Sequence, residues 1–321
     1  MKIIICIIAL NLVLSALYSQ SKNDSAFTES ELALKTSTGY ISGTLTFPKN
    51  AQNSPIVLII AGSGPTDRDC NSATGIQTNA YKMLSEGFAK ANISTVRFDK
   101  RGIGKSKPAM TSESDLRFET YIKDVVDWIS LLKSDKRFSK VIVLGHSEGS
   151  LIGMIAAAQT KTGGFISIAG AGRSADKILQ EQLKSQLPPQ TMMESNKILE
   201  RMKIGQTVAT TDPTLASLYR PTVQQYMISW IKFDPSQEIK KLKVPVLIIQ
   251  GTTDLQVTMN DAKLLSAAKP NAKLEIIENM NHILKDADAN VQTNLATYSN
   301  PALALKSGLI EKLVDFVKTI K

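Results

Sequence analysis

Six short apolar runs, at 56–61, 93–98, 141–144, 165–169, 244–249 and 274–277, constrain this chain more than any other feature. They are continuous, or broken only by single polar residues and the Ser94-Thr95 pair, rather than regularly alternating. A strand that is apolar at consecutive positions must be covered on both faces, which is the situation of parallel strands between two helix layers. Helical periods lie between the runs. In 116–133, Phe118, Ile122, Val125, Ile129 and Leu132 recur at spacings of four and three, which predicts a helix with one core-facing stripe. Leu309, Leu313, Phe316 and Ile320 predict a similar closing helix after Asn300-Pro301. Ahead of the first run, alternation in 33–37 and 41–47 around Gly39 predicts a hairpin. The expectation is an α/β fold: a mostly parallel, doubly wound sheet led by an antiparallel pair.

One stretch, 172–243, breaks the rhythm. It has helical patches and no strand-like run, and it holds Pro188, Pro189, Pro213, Pro221 and Pro235. An unstructured loop of that length is out of keeping with a compact domain. The stretch therefore reads as a helical lid inserted over the C-terminal edge of the sheet. Its Met192, Met193, Met202, Met227 and Trp230 read as internal packing, with an acyl pocket as the alternative.

Residues 1–19 read as a signal peptide. Met1-Lys2 is followed by a largely apolar segment shorter than the roughly twenty residues a spanning helix needs. Ser19 is the preferred cleavage point, and an uncleaved anchor is the alternative. Cleavage would leave Cys70 as the sole cysteine, so the remaining 20–321 domain would have no internal disulfide. The expected location is exported, periplasmic or secreted, without stable membrane insertion. Although 38 Lys and Arg stand against 29 Asp and Glu, the lysines are scattered, which argues against a nucleic-acid partner. Two histidines, His146 and His282, argue against a histidine-rich metal centre.

Gly145-His146-Ser147-Glu148-Gly149 matches G-x-S-x-G, and its setting gives it weight. It follows the run 140–144 and opens a small, apolar helical segment at 150–160. A tight strand-to-helix turn of this kind projects the serine hydroxyl above the sheet. A serine needs a base. His146 sits inside the turn and should point away, so His282, in a loop after the last run, is the candidate. The orienting acid should follow the preceding run, where Asp254 stands; Asp286, Asp288 and Glu278 are competitors. An oxyanion needs backbone donors. Glu148 N–H supplies one, and Ser63 N–H, in Ala61-Gly62-Ser63-Gly64-Pro65 after the first parallel run, supplies the other.

The order Ser147, Asp254, His282 is that of α/β hydrolases. Over about 32–321 the chain resembles that superfamily, particularly bacterial esterases grouped with serine aminopeptidase S33-like hydrolases. Gly62-Ser63-Gly64-Pro65-Thr66-Asp67-Arg68-Asp69 is similar to that group's oxyanion loop. Asp99-Lys100-Arg101-Gly102-Ile103-Gly104-Lys105-Ser106 resembles its turn after the fourth strand. Ala61 stands where many relatives have histidine, and Cys70 where glycine is usual, leaving a free thiol near the site. The resemblance implies an α/β-hydrolase fold with a helical lid, and a serine hydrolase of carboxylic esters with a small-molecule substrate and no cofactor or metal. Two other readings stay open. One is an aminopeptidase-type peptidase, which needs an acidic anchor such as Glu148; the other is a binding protein on the same scaffold. Gly102-Ile103-Gly104-Lys105-Ser106 is no phosphate loop, because Asp99 stands where the first glycine belongs. Asp99 and Arg101 are expected to brace their turn as an ion pair.

Overall fold

A computed structural model describes residues 26–184, 186–209 and 212–320; the segment read as a signal peptide lies outside them. Among the described residues, eight strands form one sheet: β1 (Phe27–Thr36), β2 (Gly39–Pro48), β3 (Ser54–Ile60), β4 (Ser94–Phe98), β5 (Phe138–His146), β6 (Gly164–Ile168), β7 (Val246–Gly251) and β8 (Lys273–Ile277). Their spatial order is β1-β2-β4-β3-β5-β6-β7-β8. The pairings β1–β2 and β2–β4 are antiparallel and the other five parallel. All six apolar runs are strands, and the alternating segment is the β1–β2 hairpin. The strand β7 starts after Pro245, later than its apolar run, since proline has no N–H for the ladder.

Successive residues explain why the runs are continuous. Ile56, Leu58 and Ile60 of β3 point into one core, and Val57 and Ile59 into the other. The helices are α1 (Ala80–Lys90), α2 (Phe118–Ser134), α3 (Glu148–Gln159), α4 (Ala175–Lys184), α5 (Pro189–Lys203), α6 (Pro213–Tyr219), α7 (Pro221–Ile231), α8 (Pro235–Glu238), α9 (Met259–Ala268), α10 (Val291–Ala296) and α11 (Leu309–Thr319). Helices α2, α3 and α9 cover the first face; α1 and α11 cover the second. The predicted stripe of α2 is buried throughout, as is that of the closing helix α11 with Ile320 beyond its end. Helix α3 is buried on every side from Glu148 to Ala157, between the sheet and the surrounding helices.

Between β6 and β7 the chain runs through α4 to α8. Four of these five helices begin with proline at the first position: Pro189, Pro213, Pro221 and Pro235. The missing N–H is harmless there and the fixed φ suits the first turn. These prolines, which in sequence look like loop markers, are helix starts. Among the described residues no helix is long and apolar enough to cross a membrane.

Candidate active site

Strand β5 runs straight into α3, and the turn between them is held by backbone contact. A Cβ on Gly145 would lie 2.2 Å from the Gly149 carbonyl oxygen, and one on Gly149 2.4 Å from that of Ile60. Neither neighbour can move without shifting the sheet, so both positions require glycine. Ser147 between them has φ 54° and ψ −122°. A non-glycine residue holds such a conformation only where its surroundings impose it. The Ser147 hydroxyl neither caps α3 nor bonds any other group within 3.5 Å among the described residues. It is left facing open space.

Asp254 follows β7 and His282 follows β8, and the parallel pairing of these strands brings their ends together. His282 Nδ1 lies 2.8 Å from Asp254 Oδ2. The Asp254 carboxylate also accepts the N–H groups of Gln256 at 2.8 Å and Val257 at 2.9 Å, and Gln250 Nε2 at 3.0 Å. Burial acts to raise its pKa, but the facing imidazole and the N–H groups of Val257 and Gln256 outweigh burial and hold the carboxyl below its ordinary value. Of the competing acids, Asp286 pairs with Lys306 at 2.7 Å, Asp288 accepts from Thr293, and Glu278 is exposed. Ser147 and His282 together line a small cavity of about 50 Å³.

Ser63 stands in the loop after β3 and lines this cavity beside Ser147. Its N–H meets no acceptor among the described residues. Glu148 N–H is the first of α3, where no preceding helical carbonyl can receive it. The Gly62 N–H is already spent on Tyr81 Oη at 3.2 Å.

Several residues that matter here carry no motif. Lys100, 2 % exposed, donates from Nζ to the Gly62 carbonyl at 2.7 Å and to Glu148 Oε2 at 2.6 Å. It thus ties the loop holding Ser63 to the elbow, and Gly62 C=O and Ser63 N–H belong to one peptide group. Tyr226 of α7 donates its hydroxyl to Glu148 Oε1. Glu148 is therefore buried and paired, and not free to serve as the acidic anchor that the peptidase reading needs. The only available sign of Lys100 was its place two residues beyond the run 93–98, in the turn 99–106.

Two sequence expectations need correction. Asp99 does not pair with Arg101. It accepts Arg68 Nη2 and the Arg68 N–H, each at 2.8 Å, while Arg101 pairs with Asp124 at 2.6 Å. The turn is braced, but by partners from other elements. His146, expected to point away, contacts His282 instead, ring centroids 4.8 Å apart. Its Nε2–H donates to the His282 carbonyl at 2.8 Å, and its Nδ1 accepts from Tyr81 Oη at 2.8 Å. Burial drives the His146 pKa down to about 3, assisted by the nearby His282, so the ring is neutral. Cys70 has φ 72°, the left-handed conformation that explains the usual glycine. Burial pushes its thiol up to about 11, which leaves it protonated and unreactive.

A second, larger cavity of about 390 Å³ opens from Ser147 under the helices α4 to α8. Met227 and Trp230 line it. Met202, by contrast, is packed in the core and Met193 is exposed. The methionines thus divide between the two readings that the sequence left open.

Residues 74–288, more than half of the chain, match the family model described as serine aminopeptidase, S33. Esterase EstD of Thermotoga maritima is 28 % identical over 282 residues, which are 85 % of this chain and 63 % of that protein. The chain thus spans less than two thirds of that relative. A monoglyceride lipase of Rattus norvegicus is 22 % identical over 65 % of this chain and 73 % of its own. Among solved structures, Est1E of Butyrivibrio proteoclasticus aligns with a TM-score of 0.58 at 17 % identity, over 90 % of this chain and 99 % of its own. That likeness is one of fold. With the sheet order, the strained elbow and the family match in agreement, this chain belongs to the serine aminopeptidase S33 family of α/β hydrolases.

Proposed function

We propose that this protein is an exported serine hydrolase of carboxylic esters, with Ser147 as nucleophile, His282 as base and Asp254 as its orienting acid. The observation that carries the reading is the 2.8 Å bond between His282 Nδ1 and Asp254 Oδ2 beside an unengaged serine on a strained turn. Asp254 holds Nδ1 protonated, so Nε2 is the nitrogen free to take the Ser147 proton. As Oγ adds to the carbonyl carbon, negative charge develops on the carbonyl oxygen. The Ser63 and Glu148 N–H groups are the donors that receive it. Collapse expels the alcohol, protonated by His282, and leaves an acyl-serine. Water then gives its proton to His282 and attacks the acyl carbon. The Ser147 Oγ–acyl bond breaks, Oγ recovers the proton, and the carboxylic acid departs.

The peptidase alternative needs a carboxylate for the α-ammonium group of a peptide. Glu148 is the one acidic side chain lining either cavity at Ser147 among the described residues, and Lys100 and Tyr226 already hold it. That favours a neutral ester. The binding-protein alternative and the enzyme reading part company in Ser147→Ala. Its ester turnover should fall by on the order of 10⁵-fold or more with folding retained. Ester hydrolysis at an unchanged rate in that variant would end the proposal.

A further inference from the structure

The nucleophile lies between two unequal cavities, and His282 borders only one of them. The smaller, of about 50 Å³, is lined by His282, Ser147 and Ser63; the larger, of about 390 Å³, is lined by Ser147, Ser63 and Glu148 without His282. Resting on the ester-hydrolase reading above, we propose that the substrates are esters joining a bulky apolar acyl group to a short alcohol.

The assignment follows from where the proton must go. When the C–O bond to the alcohol breaks, the leaving oxygen takes its proton from His282 Nε2, so it must lie within hydrogen-bond reach of that nitrogen. The alcohol therefore occupies the cavity bordered by His282. The acyl chain, attached to the same carbon and directed away from the imidazole, takes the other. The water that releases the acyl group must also meet His282 Nε2, and it enters where the alcohol has left. A water needs about 10–15 Å³ of such space, so the smaller cavity, of about 50 Å³, holds a few waters or a short alkoxy group. The balance is ester plus water giving acid plus alcohol.

The smaller cavity cannot easily widen. Cys70, Tyr81 and His146 in its wall are all buried. Tyr81 and His146 are fixed by the bonded series from Gly62 N–H through Tyr81 Oη and His146 to the His282 carbonyl. Ile76, Ile283 and Tyr298 also line it. The larger cavity presents Leu179, Leu218, Val223, Met227 and Trp230. Its two arginines carry no free charge to offer an anionic acyl group. Arg173 is paired with Asp261 and Glu181, and Arg220 with Glu113. The size and composition of the larger cavity are those of an ordinary small-molecule site.

Two series of unactivated alkyl esters, followed by acid release with the purified chain, test this. One holds the alcohol as ethanol and lengthens the acyl group from acetyl to decanoyl. The other holds hexanoyl and lengthens the alcohol from methyl to hexyl. We expect kcat/KM to hold or rise along the first series. Along the second it should fall by about tenfold or more for each methylene that no longer fits. Ile76→Ala should raise the butyl-to-ethyl ratio, and Val223→Trp should lower the decanoyl-to-acetyl ratio. Tolerance of long alcohols, or a fall along the acyl series, overturns the assignment of the cavities while Ser147-dependent ester hydrolysis stands. If neither series is hydrolysed, or if Ser147→Ala hydrolyses them equally well, the ester-hydrolase reading itself fails and this one falls with it.

Discussion

At the elbow, backbone meets backbone: Gly145 and Gly149 approach carbonyl groups so closely that no side chain fits. The helices α4 to α8, which roof the same nucleophile, are joined to the elbow through side chains, with Tyr226 resting on Glu148. The first region tolerates almost no change in shape; the second is aligned by proline-started helices and aromatic packing such as Phe118 against Trp230 at 5.9 Å. The difference suggests a division of labour. The groups proposed to make and break bonds stand on the rigid sheet ends, while the surface proposed to select an acyl group is carried by an insert free to vary without disturbing them.

Substitutions should break or sharpen that division. Asp254→Asn, on the rigid side, should lower kcat by about 10⁴-fold through loss of the imidazole tautomer, with the fold intact by circular dichroism. A near-normal rate would move the orienting acid elsewhere. Lys100→Met should lower kcat by about 10²-fold, comparable with loss of one oxyanion donor. It should also cost about 3–5 kcal/mol in urea unfolding, because Glu148 is left buried without its partner. Stability loss with kcat unchanged would make the lysine a structural strut only.

His146 gives a pH test of the rigid floor. Its folded pKa, near 3, lies below the unfolded value of about 6.5, so only the unfolded chain gains this proton between those limits. Stability from this group is complete above about pH 6.5 and is lost as pH falls, by on the order of 2–3 kcal/mol at pH 4.5. His146→Gln keeps a donor for the His282 carbonyl but cannot titrate, so its denaturant midpoint should fall less between pH 7 and 4.5. Equal falls in both proteins would remove His146 as the cause. The smallest effect belongs to the insert. Tyr226→Phe should lower stability by about 1–2 kcal/mol and kcat/KM by only a few-fold. A loss as deep as that of Asp254→Asn would show the insert taking part in the chemistry.

What a reader of the sequence could recover follows period and order along the chain. Apolar runs gave the strands because the inner ones are covered on both faces, as Ile56, Leu58 and Ile60 against Val57 and Ile59 demonstrate; the edge strand β8 is the exception, with Ile276 exposed. Ser147, Asp254 and His282 were legible as candidates because each stands beyond a strand end, and β5, β6, β7 and β8 lie side by side in chain order. The prolines of the insert were visible but ambiguous. A proline marks a helix start as readily as a loop, and only the following helix decides which.

The remaining features depend on which strand ends become neighbours. Lys100 meets Glu148, 48 positions away, and His146 meets the carbonyl of His282, 136 positions away. Nothing local in either segment specifies such a partner. Asp99 found Arg68 rather than the nearer Arg101 for the same reason: packing, not proximity along the chain, fixes which charges share a buried space. The amino-acid order by itself determined a mostly parallel sheet, a strained serine turn and the three residues proposed to carry the chemistry. The tertiary structure alone decided the protonation of His146 and Cys70, the burial of Glu148 and the unequal cavities on either side of Ser147. Those properties arise from desolvation and enclosed volume, and neither exists until distant parts of the chain close around the same point.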